Sequence, residues 1–202
     1  MTKRQENALK TRQKILDAAY KLLNKNEFDD LSIDDITNYC NVAKGTFYTY
    51  FKHKEDIIFE ICRPFFARIE EQMKQMTNKD IIERLTYYFV EFMKEVQRYG
   101  INLARVWIKG VTDPSKAPEN YDNKKWQYDF TMLKNILNSA IQNKELKEDT
   151  PVELLSYVII SQLYGMMTIW CMSDGEFNPK NRAEKFCELQ LKVLLKNYLV
   201  QT

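Results

Sequence analysis

Apolar residues recur at helical spacing along most of the chain. From Leu9 to Leu23, Ile15, Ala18, Ala19, Leu22 and Leu23 share one face, while Lys10, Arg12, Lys14 and Lys21 lie largely elsewhere. That pattern predicts an amphipathic helix. The polar run 24–30 breaks it. Leu31-Ser32-Ile33-Asp34-Asp35-Ile36 then reads as a helix start, with Ser32 as cap and two acids at the positive end of the dipole. This second helix is short and ends near Tyr39. Asn41 suits the left-handed backbone of a tight turn, and a third short helix spans about Ala43 to Tyr50.

The later helices are longer. One runs from Ile57 to about Met76 and contains Pro64, which predicts a kink or a locally opened turn. Asn78 is the predicted cap for Ile81–Arg98, and Gly100 separates that helix from Ile101–Val111. Residues 113–121, with Pro114 and Pro118, form the longest predicted loop, followed by a helix over 122–144. Thr150-Pro151 predicts a cap followed by proline in the first turn of a helix reaching Met172. Asn178-Pro179 starts the last helix, which runs to about Leu199. The expected fold is all-α, about nine helices with no strand.

Composition agrees: five glycines and five prolines in 202 residues are too few for a turn-rich β architecture. The net charge of +2 hides an asymmetry. Residues 1–54 hold ten Lys/Arg against seven Asp/Glu, a surplus of three, and the remainder carries a deficit of one. Basic charge is placed where a polyanion would be met. Cys40, Cys62, Cys171 and Cys187 are scattered without a CxxC pair, which predicts reduced thiols. The N-terminal MTKRQENALK lacks the apolar run of a signal peptide. The most apolar stretch, Leu154–Met172, carries Ser156, Ser161, Gln162 and Thr168, and reads as a buried helix rather than a membrane span. The expected location is cytoplasmic.

Two short helices joined by a tight turn cannot form a core alone. The first helix must cover them, with Ile15, Ala19, Leu22, Ile33, Ile36, Val42, Phe47 and Phe51 inside. That arrangement is a helix-turn-helix, whose second short helix enters the major groove of DNA. Lys44 can meet a phosphate or a guanine edge, and Gly45 lets the backbone approach closely. Thr46 and Thr49 offer a hydroxyl and a methyl, and the Tyr48 hydroxyl reaches toward phosphate. Lys52, His53 and Lys54 bracket the next helix N-terminus, a natural phosphate position.

The run Cys40-Asn41-Val42-Ala43-Lys44-Gly45-Thr46-Phe47-Tyr48-Thr49-Tyr50-Phe51-Lys52-His53-Lys54-Glu55-Asp56 resembles the recognition-helix signature of the TetR family of transcriptional regulators. Leu31-Ser32-Ile33-x-x-Ile36 and Ile15-Leu16-Asp17-Ala18-Ala19 resemble its flanking helices. The resemblance implies base or phosphate contacts at Lys44, Thr46, Tyr48 and Thr49, and phosphate contacts at Ser32 and Lys54. It covers the first quarter of the chain. Three departures stand out: Cys40-Asn41 where Ala-Gly is common, Ala43 in place of a capping Ser, and Thr49 in place of His, which implies a different base preference.

The expected organisation is a DNA-binding domain over residues 1–54 and a helical ligand-binding and dimerisation domain over 55–202. Expected partners are a palindromic operator in double-stranded DNA, a second copy of the chain, and a small-molecule effector of aromatic or apolar character, with no membrane. Helix 151–172 is apolar nearly all round, so it must be buried on both sides. The last helix carries two stripes, Phe186/Leu189/Val193 and Cys187/Leu191/Leu194/Tyr198, one for the protomer and one for its partner. Effector pockets are apolar and aromatic with few polar groups. The candidates are Phe66, Tyr88, Phe92, Trp107, Trp126, Phe130, Tyr164 and Trp170, with Arg105 to orient an anionic group.

The expected action is repression, relieved when ligand moves the long helix and changes the spacing of two reading heads. The alternatives are an activator of the same fold and a metal-responsive regulator using Cys62, Cys171 or Cys187. Catalysis is not expected: His53 is the single histidine, it lies in a basic turn, and no nucleophile elbow, phosphate-binding Gly loop or HExxH is present. No cofactor is implied. Lys3 and Arg4 are expected either in a solvated, disordered tail or in a flexible arm that reaches a minor groove.

Overall fold

The structure is a computed structural model describing residues 2–23, 25, 28, 30–112 and 125–200. Its elements are α1 (Lys3–Leu23), α2 (Ile33–Tyr39), α3 (Lys44–Tyr50), α4 (Asp56–Gln75), α5 (Ile81–Tyr99), α6 (Ile101–Thr112), α7 (Lys125–Gln142), α8 (Val152–Met172) and α9 (Pro179–Phe186). A π-helical turn (Cys187–Leu191) follows α9 and leads into α10 (Lys192–Leu195). No strand occurs among the described residues; one antiparallel bridge joins Leu146 to Leu199. The fold class is the all-α one expected.

The chain forms two compact units. The first comprises Met1–Pro64 with Asn102–Asn123, and the second Phe65–Ile101 with Lys124–Thr202. The first unit is therefore larger than residues 1–54 and takes in most of α6. Residues 113–121, the predicted loop, lie outside the described residues.

In the first unit α1 buries Ile15, Leu16, Ala18, Ala19 and Leu23. It begins at Lys3, six residues before the predicted start, so Lys3 and Arg4 are helical rather than a loose tail. The exposed turns 3–8 bury nothing beyond a half-buried Ala8, which is why no apolar period announces them. α2 starts with a capping box. The Asp35 N–H donates to Ser32 Oγ at 3.0 Å, and the Ser32 N–H donates to Asp35 Oδ2 at 2.9 Å. At the turn into α3, Asn41 has φ 51°, the left-handed conformation expected of it. Ala43 supplies no side-chain cap to α3, and the Thr46 N–H turns back to the Ala43 carbonyl at 2.8 Å instead. Ile36, Phe47 and Phe51 are buried as expected; Leu22, Ile33 and Val42 are half-buried.

α4 continues through Pro64, with no interruption of the helix at the missing N–H. In the second unit, the cap of α5 is Asp80, not Asn78. Asp80 accepts the Glu83 N–H at 2.8 Å and Glu83 reciprocates, while Asn78 pairs with the Thr77 hydroxyl. Thr150 does not cap α8 either. Its hydroxyl donates to the Lys147 carbonyl at 2.6 Å, leaving Pro151 at the N-cap position. Asn178 caps α9 with Pro179 behind it, as expected. α5 packs against α9, α8 and α7, and α7 against α8. Leu85, Phe89, Phe92, Met93, Leu133, Leu137 and Leu163 fill the space between these helices. α8 has the length and hydropathy of a membrane-crossing helix, yet half of its apolar window is buried inside this fold.

Candidate nucleic-acid interface and the aromatic core

α3 is fixed from beneath. Phe47 is fully buried, with its ring 5.4 Å from Phe51. Arg12 of α1 pairs with Glu60 of α4 and lies 5.3 Å over the Phe51 ring, so α1 and the first half of α4 clamp the pair of short helices. What α3 leaves outward is the predicted reading set. Lys44, Gly45, Tyr48 and Thr49 are exposed, and Thr46 is half-buried. The Thr49 hydroxyl donates to the Gly45 carbonyl at 3.2 Å, which leaves its methyl free to face a ligand. Tyr48 is 52% exposed although its ring centroid lies 5.5 Å from that of Phe47, the two rings nearly perpendicular.

A Cβ added at Gly45 would meet nothing within 4 Å in the free protein. Gly45→Ala should therefore raise the thermal midpoint, since alanine is about 1 kcal/mol better in a helix. If close approach of DNA is what the glycine serves, the same substitution lowers operator affinity, and a melting curve beside a binding titration separates the two effects.

Three predicted phosphate contacts have protein partners. The Lys44 ammonium pairs with Asp34 at 2.8 Å, which raises its pKa, and this exposed pair can exchange for a phosphate. Lys54 is more committed. It donates to the carbonyls of Phe28 (2.6 Å) and Leu31 (2.7 Å) and sits 4.2 Å from the Phe28 ring centroid. It thus ties the α1–α2 connection to the start of α4, and two of its three N–H bonds are spent on that. Ser32 is exposed but shares its hydroxyl with Asp35 at 2.5 Å. His53 is exposed, and its backbone N–H and that of Lys52 both donate to Asp56, at 3.0 and 2.7 Å. Asp56 sets this turn and was not singled out from the sequence, where it reads only as an acid near a helix start.

The effector candidates divide. Tyr88, Phe92 and Tyr164 come together in the second unit: Tyr88 and Phe92 have centroids 6.2 Å apart, Phe92 and Tyr164 6.4 Å. Phe65 lies edge-on to Phe92 at 6.3 Å. The Tyr164 hydroxyl donates to Asp129 at 2.5 Å. Burial, then the charge of Asp129, holds the Tyr164 and Tyr88 phenols well above their ordinary pKa. Phe130 is half-buried and stacks on Tyr157 at 4.4 Å, and Trp170 is buried against Gly175. Arg105 and Trp107 belong to the first unit. The side chains of Phe66 and Trp126 lie outside the described residues.

Asp129 is the residue that sequence reasoning missed. It is fully buried, yet between Tyr128 and Phe130 it reads as one polar position in an amphipathic helix. Two recesses open elsewhere on this unit. One, of about 850 Å3, lies among Met73, Arg84, Met132 and Glu145; the other, of about 820 Å3, lies between α8 and α9. All four cysteines are buried thiols outside any disulfide, and burial lifts the Cys187 thiol to a pKa of about 11. Among the described residues no three His, Cys, Asp or Glu converge to hold a metal ion.

Residues 15–61 match the family described as "Bacterial regulatory proteins, tetR family". The fatty acid metabolism regulator protein of Bacillus subtilis is 27% identical over 168 residues, covering 81% of this chain and 85% of that one. The regulator AcrR of Shigella flexneri is 20% identical over 200 residues, covering 96% and 93%. Among solved structures, the B. subtilis regulator FadR in complex with stearoyl-CoA aligns with a TM-score of 0.69 at 24% identity, covering 88% of this chain and 96% of that one. Thermus thermophilus FadR in complex with lauroyl-CoA aligns with a TM-score of 0.71 at 19% identity, covering 95% and 96%.

Proposed function

The chain belongs to the TetR family and is a DNA-binding transcriptional regulator, and we propose that it is a cytoplasmic homodimeric repressor released from a palindromic operator by an acyl thioester. The observation that carries the DNA-reading assignment is the α3 surface. Lys44, Gly45, Tyr48 and Thr49 are presented to solvent, with Thr46 half-buried beside them, on a helix whose other side is locked by Phe47 and Phe51. Lys44 and the turn 52–54 position the protein on phosphates; Thr46, Tyr48 and Thr49 read base edges.

One helix-turn-helix contacts few base pairs, so a two-fold pair meeting half-sites one turn apart is the economical arrangement. The second unit has a face for it. Leu154 (61%), Ile169 (59%), Met172 (81%), Leu189 (61%) and Val193 (64%) are exposed on α8 and the last helix, while Cys187, Leu191 and Leu195 on the opposite stripe are buried. A second copy covering that face removes an apolar patch that a monomer has no reason to keep.

The effector class rests on two supports. Two of the similar solved structures hold stearoyl-CoA and lauroyl-CoA, and the interior between α5, α7 and α8 is largely aromatic and aliphatic around the buried Asp129. DNA affinity then changes by the ligand's differential affinity for the two states. α4, whose residues fall in both units, is the element through which the shift would pass.

The test is binding of the purified protein to DNA tiled across its own gene neighbourhood, at two salt concentrations, with and without lauroyl-CoA or stearoyl-CoA. One palindromic fragment should bind tightly, lose affinity steeply with salt, and be released by micromolar acyl-CoA. Tight binding that acyl-CoA leaves untouched would overturn the effector assignment; weak, uniform binding to every fragment would overturn the operator assignment.

A further inference from the structure

One of the two recesses of the second unit has a wall whose polar atoms are not all met. The end of α4, the start of α5 and the later half of α7 enclose about 850 Å3, a size that small-molecule sites occupy. Its apolar side is Met73, Met76, Met132 and Ile136; Met73 is buried and the other three are half-buried. Methionine is unbranched and adapts to the shape of what it meets. The polar side is an ion pair. Arg84, on α5, is 8% exposed, and its Nη2 donates to Glu145 Oε1 at 2.5 Å. Arg84 Nε and Glu145 Oε2 are buried without a hydrogen-bond partner among the described residues. One is a donor and the other an acceptor, and leaving both unmet is costly. The Glu145 backbone is pinned, its N–H on the Ala140 carbonyl at 2.8 Å and its own carbonyl accepting the Val200 N–H at 3.0 Å. Its side chain, 21% exposed, is left to turn.

The remaining lining sets the charge of what fits. Lys74 and Lys79 stand beside Glu70 and Asp80, so with the Arg84–Glu145 pair the acids and bases around the recess are equal in number. Lys74 is paired with Glu70 at 2.9 Å, and Lys79 with Glu83 at 2.7 Å. A charged ligand would have to break one of these pairs or enter without a counter-ion, whereas a neutral one disturbs none of them.

We propose that this recess is a second small-molecule site and that it takes a neutral amphipathic amide. A primary amide is the complement of the two unmet atoms, since it carries an acceptor oxygen and a donor nitrogen on one carbon. The Arg84 Nε–H donates to the amide carbonyl, and the Glu145 carboxylate, turned toward the opening, accepts the amide N–H. The apolar tail lies along the methionines and Ile136. This site is separate from the acyl-thioester reading above, and neither depends on the other.

The experiment is calorimetry on the full-length protein with octanamide, octanoate and octylamine, three probes that share a tail and differ in head-group charge. The native protein should bind octanamide about 10-fold or more tightly than either charged probe. Replacing both members of the pair, Arg84→Met with Glu145→Met, leaves no buried charge behind and is often neutral for stability. In that variant octanamide should weaken by about 10-fold or more and lose its lead over the other two. Met132→Trp narrows the recess from a half-buried position and leaves the ion pair intact; it should weaken octanamide by a similar factor. Melting curves and an operator titration establish that each variant is folded, and should one fail to fold, the other decides. Octanamide binding no tighter than the charged probes, or surviving unchanged in either folded variant, would overturn the proposal. So would a native protein that holds its operator and binds no octanamide; operator release by lauroyl-CoA, measured separately, would still stand.

Discussion

Tyr48→Ala is expected to abolish operator recognition while the protein stays folded. The side chain is half in solvent and contributes only a ring edge to the core, against Phe47. Alanine is also the better helix former, so α3 loses little. The loss appears on DNA. One base-reading or phosphate contact is worth about 1–3 kcal/mol, and a two-fold dimer makes it twice, which sets the cost at about 2–6 kcal/mol, or roughly 30- to 10^4-fold in affinity. A fluorescence anisotropy titration on the palindromic fragment, paired with a melting curve, reads both quantities. Native affinity in the variant would show that α3 meets DNA elsewhere; a lost thermal transition would show that the ring edge on Phe47 is structural after all.

Phe47→Ala, one residue earlier, should do the reverse in kind. Phe47 is 0% exposed and anchors α3 against Phe51 and the α1 face. Removing a fully buried phenyl ring costs about 3–5 kcal/mol in lost transfer and an unfilled cavity. The whole stability of a domain is about 5–15 kcal/mol, so the first unit should lose a large share of its stability. Chemical denaturation monitored by helicity should show a displaced or separate early transition. Phe47→Leu, which keeps most of the volume, should recover the larger part. An alanine variant with native stability would mean that the three helices are not held through this ring.

The contrast between these neighbours explains what could be read before the structure. α3 presents its pattern openly: a buried ring every fourth position at Phe47 and Phe51, and outward polar or small residues between. Asn41 announced its left-handed turn because few other residues tolerate one. Caps were less legible. Asn78 and Asp80 are both competent, and only the position of the first turn decides for Asp80; Thr150 has the chemistry of a cap, but its hydroxyl donates to the Lys147 carbonyl instead. The body was legible as helices but not as a site. Whether Asp129 faces water or a tyrosine depends on the rotation of α7, which a polar residue between two aromatics does not reveal. Lys54 is a similar case: a lysine near a helix start suits a phosphate, and nothing local says that two carbonyls some two dozen residues earlier have claimed it.

The π-helical turn at Cys187–Leu191 has a consequence for chain length. The buried positions Ala183, Cys187, Leu191 and Leu195 are spaced four apart. In a pure α-helix, twelve residues drift by about 120° from a straight stripe. The wide turn absorbs that drift, as a single surplus residue would require. Deleting one of the exposed residues Glu188, Leu189 or Gln190 would give spacings of four, three and four, which an ordinary α-helix keeps on one face. The segment therefore marks the one stretch of the last helix where the gene can lose a codon without turning the residues beyond it to the wrong side.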